Sequence, residues 1–136
     1  MTPPATPSPN FGVHSSANPG PSANPPSPTQ SPLAGITVLD LTRLLPGPVA
    51  TMHLADMGAT IIKIEDKGAG DYARTMMHVR RELSQMFIAV NRGKKIIHLD
   101  LKHADDHQSF LSLVDSADVV IESFRPGVMD RLGLGW

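Results

Sequence analysis

The chain has no cysteine, which excludes disulfides and thiolate metal sites. Its first 32 residues contain no Asp, Glu, Lys or Arg. Pro, Ser, Asn, Ala and Thr fill that leader, and it has too few large apolar side chains to offset the entropy of ordering it. Residues 1–32 are therefore expected to be disordered, with the prolines keeping them somewhat extended. The leader lacks the Arg-rich amphipathic pattern of a transit peptide and the apolar core of a secretory signal, so a cytoplasmic location is expected. No basic residue flanks its prolines to orient docking on an SH3-like partner. No stretch of the chain approaches the ~20 apolar residues of a membrane span, and no membrane association is expected. A net charge of −1 gives no reason to expect nucleic acid as a partner.

What is present begins at Leu33. Residues 33–136, roughly a hundred residues, can bury one modest core. "GITVLDL" (Gly35–Leu41) is short, apolar and β-branched and reads as a buried strand. "GPVATMHLADMG" (Gly47–Gly58) reads as a helix, with Pro48 in its first turn and Gly58 as its C-terminal cap. Val49, Met52, Leu54, Ala55 and Met57 would form its apolar face. "ATIIKIE" (Ala59–Glu65) is a second strand, so Gly35–Glu65 makes a βαβ unit with parallel pairing. Residues 66–82 read as loop and Leu83–Asn91 as a short helix. Lys95–Leu101 is a third strand, Asp105–Ala117 a helix with Phe110, Leu111, Leu113 and Val114 on its apolar face, and Asp118–Phe124 a fourth strand. The alternation predicts an α/β fold with a parallel, Rossmann-like sheet.

In such sheets ligands bind outside the carboxyl ends of the strands. That rule singles out Thr42–Pro46, Asp66–Gly70, Asp100–Lys102 and Ser123–Arg125. The first turn, "TRLLPGP", is not a glycine-rich dinucleotide fingerprint. Pro46 and Pro48 stiffen it and remove two N–H donors, which argues against a phosphate cradle there. "EDKGAGD" (Glu65–Asp71) reads as a solvated loop made flexible by Gly68 and Gly70. The basic cluster "NRGKK" (Asn91–Lys95) leads into the strand that ends at Lys102, and Arg125 and Arg131 lie at the same edge one strand on. Cations converging on one corner of a nearly neutral protein suggest a polyanion such as a phosphorylated nucleotide. Asp100 is the acid expected near that pocket. His103 and His107 have helical i, i+4 spacing, but no third ligand accompanies them, and no metal is expected. His53 and the methionines at helical spacing read as packing residues.

Taken in order, "LAGITVLDLTRLLPGPVATMHLADMGATIIKIE", "GAGD", "NRGKKIIHLDLK" and "ADVVIESFRPGVMDRLGLGW" resemble the N-terminal part of CoA-transferase family III. The resemblance covers Leu33–Trp136. It implies the beginning of a Rossmann-like large domain, coenzyme A or acyl-CoA as substrate with no separate cofactor, and an interlocked homodimer. By motif position it implies CoA contacts at Leu45 and Pro46, at Leu99, Asp100, Leu101 and Lys102, at Ser123, Phe124 and Arg125, and at Arg131. Asp100 would then belong to adenosine recognition. Many members carry Arg where this chain has Asp66, and Lys67 is the cation left to take that place. Family transferases use an Asp nucleophile and racemases a His and Asp pair. The resemblance implies that both lie beyond Trp136, in a longer protein of which this would be an inactive N-terminal fragment. "LLPGP" resembles the form found in 2-methylacyl-CoA racemases. Two other classes stay open: a nucleotide-dependent oxidoreductase, which would need a glycine-rich first turn, and a non-catalytic interaction protein acting through the Pro-rich leader.

Overall fold

The computed structural model describes residues 31–77, 79–80 and 83–135. The leader expected to be disordered therefore lies, but for its last two residues, outside the described residues. Four strands, Thr37–Asp40 (β1), Thr60–Glu65 (β2), Lys95–His98 (β5) and Val119–Ile121 (β6), form one sheet in the order β5-β2-β1-β6. All three pairings are parallel. Helix α1 (Pro46–Asp56) crosses from β1 to β2, and α3 (Ala104–Val114) crosses from β5 to β6. The expected α/β class with a parallel sheet is what forms.

Side chains on successive strand residues point to opposite faces, and the two faces are built differently. Leu39, Leu41 and Ile64 face α3, where Phe110 is 1% exposed and Leu113 and Val114 close the cluster. Val38, Ala59 and Ile61 face the α1 side, with Leu54 and Ala55 against them. Asp40 and Lys63 occupy the same α1 side of β1 and β2, and both are fully buried. The strands are apolar throughout on one face only.

Several boundaries differ from expectation for local reasons. β1 starts at Thr37 because Gly35 turns with φ +89°. β6 ends at Ile121 because the Glu122 carboxylate accepts the Phe124 N–H at 2.5 Å and bends the chain. β5 ends at His98, and the Asp100 carboxylate then accepts the Lys102 N–H at 3.0 Å. Residues 66–82, expected as loop, hold a 3₁₀ turn at Tyr72–Thr75 and a strand, β3 (Val79–Arg80), which pairs antiparallel with β4 (Leu83–Ser84). The short helix expected from Leu83 is α2 (Gln85–Asn91), because the Ser84 hydroxyl caps it by accepting from Phe87 N–H. α3 stops at Val114 rather than Ala117, where Ser116 and Ala117 donate three residues back, to Leu113 and Val114. The last helix is α4 (Val128–Arg131).

The buried face of α1 is Pro48 and Thr51, with Leu54 and Ala55 behind them. His53 lies off that stripe and is exposed rather than packed. Met57 is also exposed, at 41%, against its reading as part of the helix's apolar face.

Between α1 and the sheet lies a buried polar network. Asp40 accepts from Thr42 N–H and hydroxyl at 2.9 and 2.5 Å and from the Thr51 hydroxyl at 2.6 Å. The Lys94 ammonium lies 3.1 Å from Asp40 and also donates to Thr51, Pro48 O and Asn91. Lys63 donates to Thr42 O at 2.7 Å and sits 3.0 Å from Asp71 Oδ2. Burial acts to raise the Asp40 pKa. The Thr42 and Thr51 hydrogen bonds and the Lys63 and Lys94 charges outweigh it and hold the carboxyl below its ordinary value. Burial, the larger influence on Lys94, pulls that ammonium below its ordinary value despite Asp40.

Removing one member of a buried pair strands the other. Lys94→Ala is expected to cost about 3–5 kcal/mol in urea unfolding. A loss under about 1 kcal/mol, the range of an exposed pair, would show the pair to be peripheral. Because the folded Asp40 pKa is depressed, its contribution is complete above pH 3.8 and is lost as pH falls through the folded value. Thr51→Val removes one bond to the carboxylate and should move the acid-unfolding midpoint upward. An unmoved midpoint would count against Asp40 as the acid-sensitive group.

Candidate functional site

The carboxyl ends of β1, β2, β5 and β6 open onto one cleft of about 320 Å³. Leu41, Ile64, Leu99 and Leu101 give it an apolar floor, and Val128 and Leu132 close it from α4 and the residue after it. Its charged groups are Arg43, Glu65, Asp66, Asp100 and Lys102.

The loop after β2 is anchored rather than flexible. Glu65 is 2% exposed. It holds Arg74 in a two-point pair, Nε at 2.7 Å and Nη2 at 3.0 Å, and accepts Asp71 N–H at 3.1 Å. Gly70 has φ +61°, and a Cβ there would stand 3.1 Å from Glu65 Oε2. The loop expected from "EDKGAGD" is solvated at Lys67, Gly68 and Ala69, as expected, but these bonds tie it down and make it a fixed wall rather than one loosened by its glycines. Asp66 Oδ1 accepts Gly68 and Ala69 N–H at 2.8 and 3.0 Å. Those backbone bonds, Ala69 first, lower the Asp66 pKa, and the nearby Arg43 and Lys102 charges add to the effect.

Arg43 leaves β1 and lies between two rings, 5.7 Å from the Tyr72 centroid and 5.6 Å from that of Phe124. Both are within cation–π reach. The turn that presents it is tight. Leu44 adopts φ +68°, unusual for a side-chain-bearing residue, and its N–H is held by Asp71 at 3.0 Å. A Cβ on Gly47 would collide with the Thr42 side chain, so glycine is required there.

Of the residues singled out in the sequence, the fold brings Leu99, Asp100, Leu101, Lys102 and Phe124 together in the cleft wall. Leu45 and Pro46, the cap and first residue of α1, lie outside the lining, as do Ser123, Arg125 and Arg131, and all five are exposed. Arg131 folds back so that its Nη1 lies 3.5 Å from where a Gly127 Cβ would be. The "NRGKK" cluster does not reach this edge through Arg92 or Lys94. Arg92 pairs with Asp56 at 2.6 Å and Lys94 is committed to the buried network. Lys67 pairs with Asp106 at 2.7 Å. His107 Nε2 lies 2.8 Å from Leu132 O. Sequence reasoning flagged the Thr42–Pro46 stretch without naming Arg43 in it as a site residue and missed Tyr72, Val128 and Leu132, and Asp100 is joined by Glu65 and Asp66 as cleft acids. Arg43 was within reach, since it is the first cation after a buried strand end. Tyr72 was not, because only the anchored loop brings it across.

Among the described residues, Arg43, Lys95, Lys102, Arg125 and Arg131 have no carboxylate within 4.0 Å, whereas Lys63, Lys67, Arg74, Arg92 and Lys94 do. Four of the five without a partner follow the carboxyl ends of strands. A parallel sheet ending in an apolar-floored cleft, with cations left over at its rim, defines an edge suited to a nucleotide-like anion. Residues 33–136 match the model of CoA-transferase family III, and the chain belongs to that family. It is 48% identical over 111 residues to an acetyl-CoA:oxalate CoA-transferase of Acetobacter aceti, covering 82% of this chain and 28% of that protein. It is 43% identical over 107 residues to a human succinyl-CoA:glutarate CoA-transferase, covering 77% of this chain and 24% of that one. The crystal structure of a CAIB/BAIF family protein from Brucella suis superposes with a TM-score of 0.72 at 37% identity, over 79% of this chain and 29% of that one. The chain thus spans less than a third of the length of these relatives. Among the described residues, no helix is long and apolar enough to cross a membrane.

Proposed function

We propose that residues 33–136 carry the CoA-binding edge of an enzyme that moves coenzyme A between carboxylic acids. The single observation behind this is the set of four strand-end cations without carboxylate partners around an apolar-floored cleft, in a chain of this family. In this reading the adenine lies on the Leu41, Ile64, Leu99 and Leu101 floor beside Lys102. The phosphates extend over Arg125 and Arg131 at the exposed rim, and the pantetheine arm leaves toward Leu45 and Pro46. No acid at the cleft is assigned as a nucleophile. Glu65 is held by Arg74, Asp66 fixes its own loop, and Asp100 lies at the adenosine end, remote from a thioester. The catalytic acid, the racemase alternative's base pair and the second subunit of a homodimer are assigned to protein outside this segment. Transfer is favoured over α-proton exchange because both relatives described above are CoA-transferases.

A charge-assisted hydrogen bond to phosphate contributes about 1.5–3 kcal/mol. Arg125→Ala and Arg131→Ala should therefore each weaken CoA about ten-fold or more in calorimetric titration, with Lys95→Ala, on the outer strand β5, as the neutral comparison. Equal losses in all three variants would show nonspecific attraction, and no loss in either of the first two would remove the edge from CoA binding. In the protein to which the segment belongs, labelled CoA should pass from an acyl donor to a free carboxylate. Loss of the α-deuteron from 2-methylacyl-CoA without such transfer would assign the racemase reaction instead.

A further inference from the structure

The segment that closes the cleft is tied to the rest of the fold at one polar point. Residues 125–135 carry α4, whose Val128 and Leu132, one turn apart, line the cleft, and whose Arg131 stands at the rim. Among the described residues, every backbone hydrogen bond of this segment is internal to it, and no ion pair reaches it. The one hydrogen bond that leaves it joins Leu132 O to His107 Nε2 on α3, at 2.8 Å.

The local chain geometry prepares that bond. A short helix leaves its last carbonyls without helical partners. Here the chain turns at Gly133, with φ +70°, and the Gly133 and Leu134 N–H groups bond back to Asp130 O and Met129 O at 3.0 and 2.9 Å, the paired bonds of a Schellman cap. The cap lays Leu134 against the Phe110 cluster, and Leu132 O is left for α3. A carbonyl oxygen only accepts, so His107 Nε2 carries the proton. The donor stands on fixed ground. Asp106 beside it accepts Asp100 N–H at 2.8 Å and holds Lys67 at 2.7 Å, and Phe110, three residues on, is in the core.

Resting on the CoA-binding reading above, we propose that His107 is a positioning residue of the CoA site: its hydrogen bond to Leu132 O holds α4 against the cleft and sets where Val128, Leu132 and Arg131 meet the ligand. His107 is not part of the cleft lining and acts only through α4. That helix has no fully buried residue of its own, so little apolar burial keeps it docked. A ligand that needs the docked position is bound in proportion to the population of that position.

The test is calorimetric titration of the 136-residue chain with CoA. His107→Phe keeps a ring and loses the donor, and should weaken CoA about five-fold, the scale of one hydrogen bond. His107→Ala should do the same. His107→Gln offers an amide N–H at similar reach and should restore most of the affinity. In an Arg131→Ala background the His107→Phe loss should shrink, because the cation that His107 positions is gone. Protection of the Leu39 and Ile62 amides, in the middle of the sheet, from hydrogen exchange shows that a variant is folded. Unchanged CoA affinity in folded His107→Phe or His107→Ala overturns the proposal. So does a loss that His107→Gln fails to recover, or one of equal size with and without Arg131, which would make His107 a general support of the fold. No CoA binding by the parent chain, or no loss in Arg131→Ala, instead overturns the CoA reading of this edge, and this inference with it.

Discussion

The buried pairs Asp40–Lys94 and Lys63–Asp71 are the constraint on which the rest depends. They join the end of β1, the middle of β2, helix α1 through Thr51, the turn before β5 and the loop after β2. A buried ion pair adds little net stability over a well-packed apolar pair, but a displaced member is left as an uncompensated charge. The network therefore penalises misplacement more than it rewards folding. It lies on one face of the sheet, and Phe110 with its leucine and isoleucine neighbours supplies hydrophobic burial on the other. One face contributes most of the apolar burial, and the other sets the register.

That division reaches the cleft through a short chain of contacts. Lys63 fixes Asp71, Asp71 holds the Leu44 N–H, and Leu44 in its left-handed conformation turns Arg43 into the cleft between Tyr72 and Phe124. Glu65 works in parallel: it binds Arg74, and Arg74 lies 4.1 Å over the Phe87 ring, which ties the loop after β2 to α2. The cleft wall is thus built from residues whose own positions are set by buried charge. A lone Leu at φ +68° would relax in an isolated peptide, and here the Asp71 carboxylate offsets that strain.

The sequence made the sheet legible because parallel strands buried on both faces are written as short β-branched runs, and the crossover helix between two of them fixes the pairing. It made the strand ends legible as a ligand edge by topology alone. Asp40 and Lys63 were not legible as partners. Each sits in an apolar run, and nothing in their spacing says that both point to the α1 face, where Lys94, far along the chain, would meet them. For the same reason "NRGKK" read as one basic cluster, although folding sends Lys94 inward, Arg92 to Asp56 and Lys95 to solvent. Tyr72 and β3 were read as loop, and β4 as the start of a helix, because their order comes from tertiary anchoring at Glu65, Asp71 and Ser84, which no local propensity records. The family resemblance, by contrast, rested on four motifs in order, and that order survives whatever the individual side chains do.

Charge pairing gives a physical rule for separating structural from ligand-facing cations in this fold. Lys63 and Lys94 are buried and must be neutralised, so each has its carboxylate. Arg74, Arg92 and Lys67 are half-buried or exposed and pin loops or helices through Glu65, Asp56 and Asp106. Apart from Lys95, which opens β5, the other cations without a carboxylate partner among those described follow strand ends, where the sheet terminates. A cation left unpaired in the fold retains its full capacity for an anion from outside, and its hydration is all that binding must displace. Inside the cleft the same accounting reverses, because the two cations there are answered by Asp66 and Asp100. The edge therefore has an inner neutral pocket and an outer positive rim.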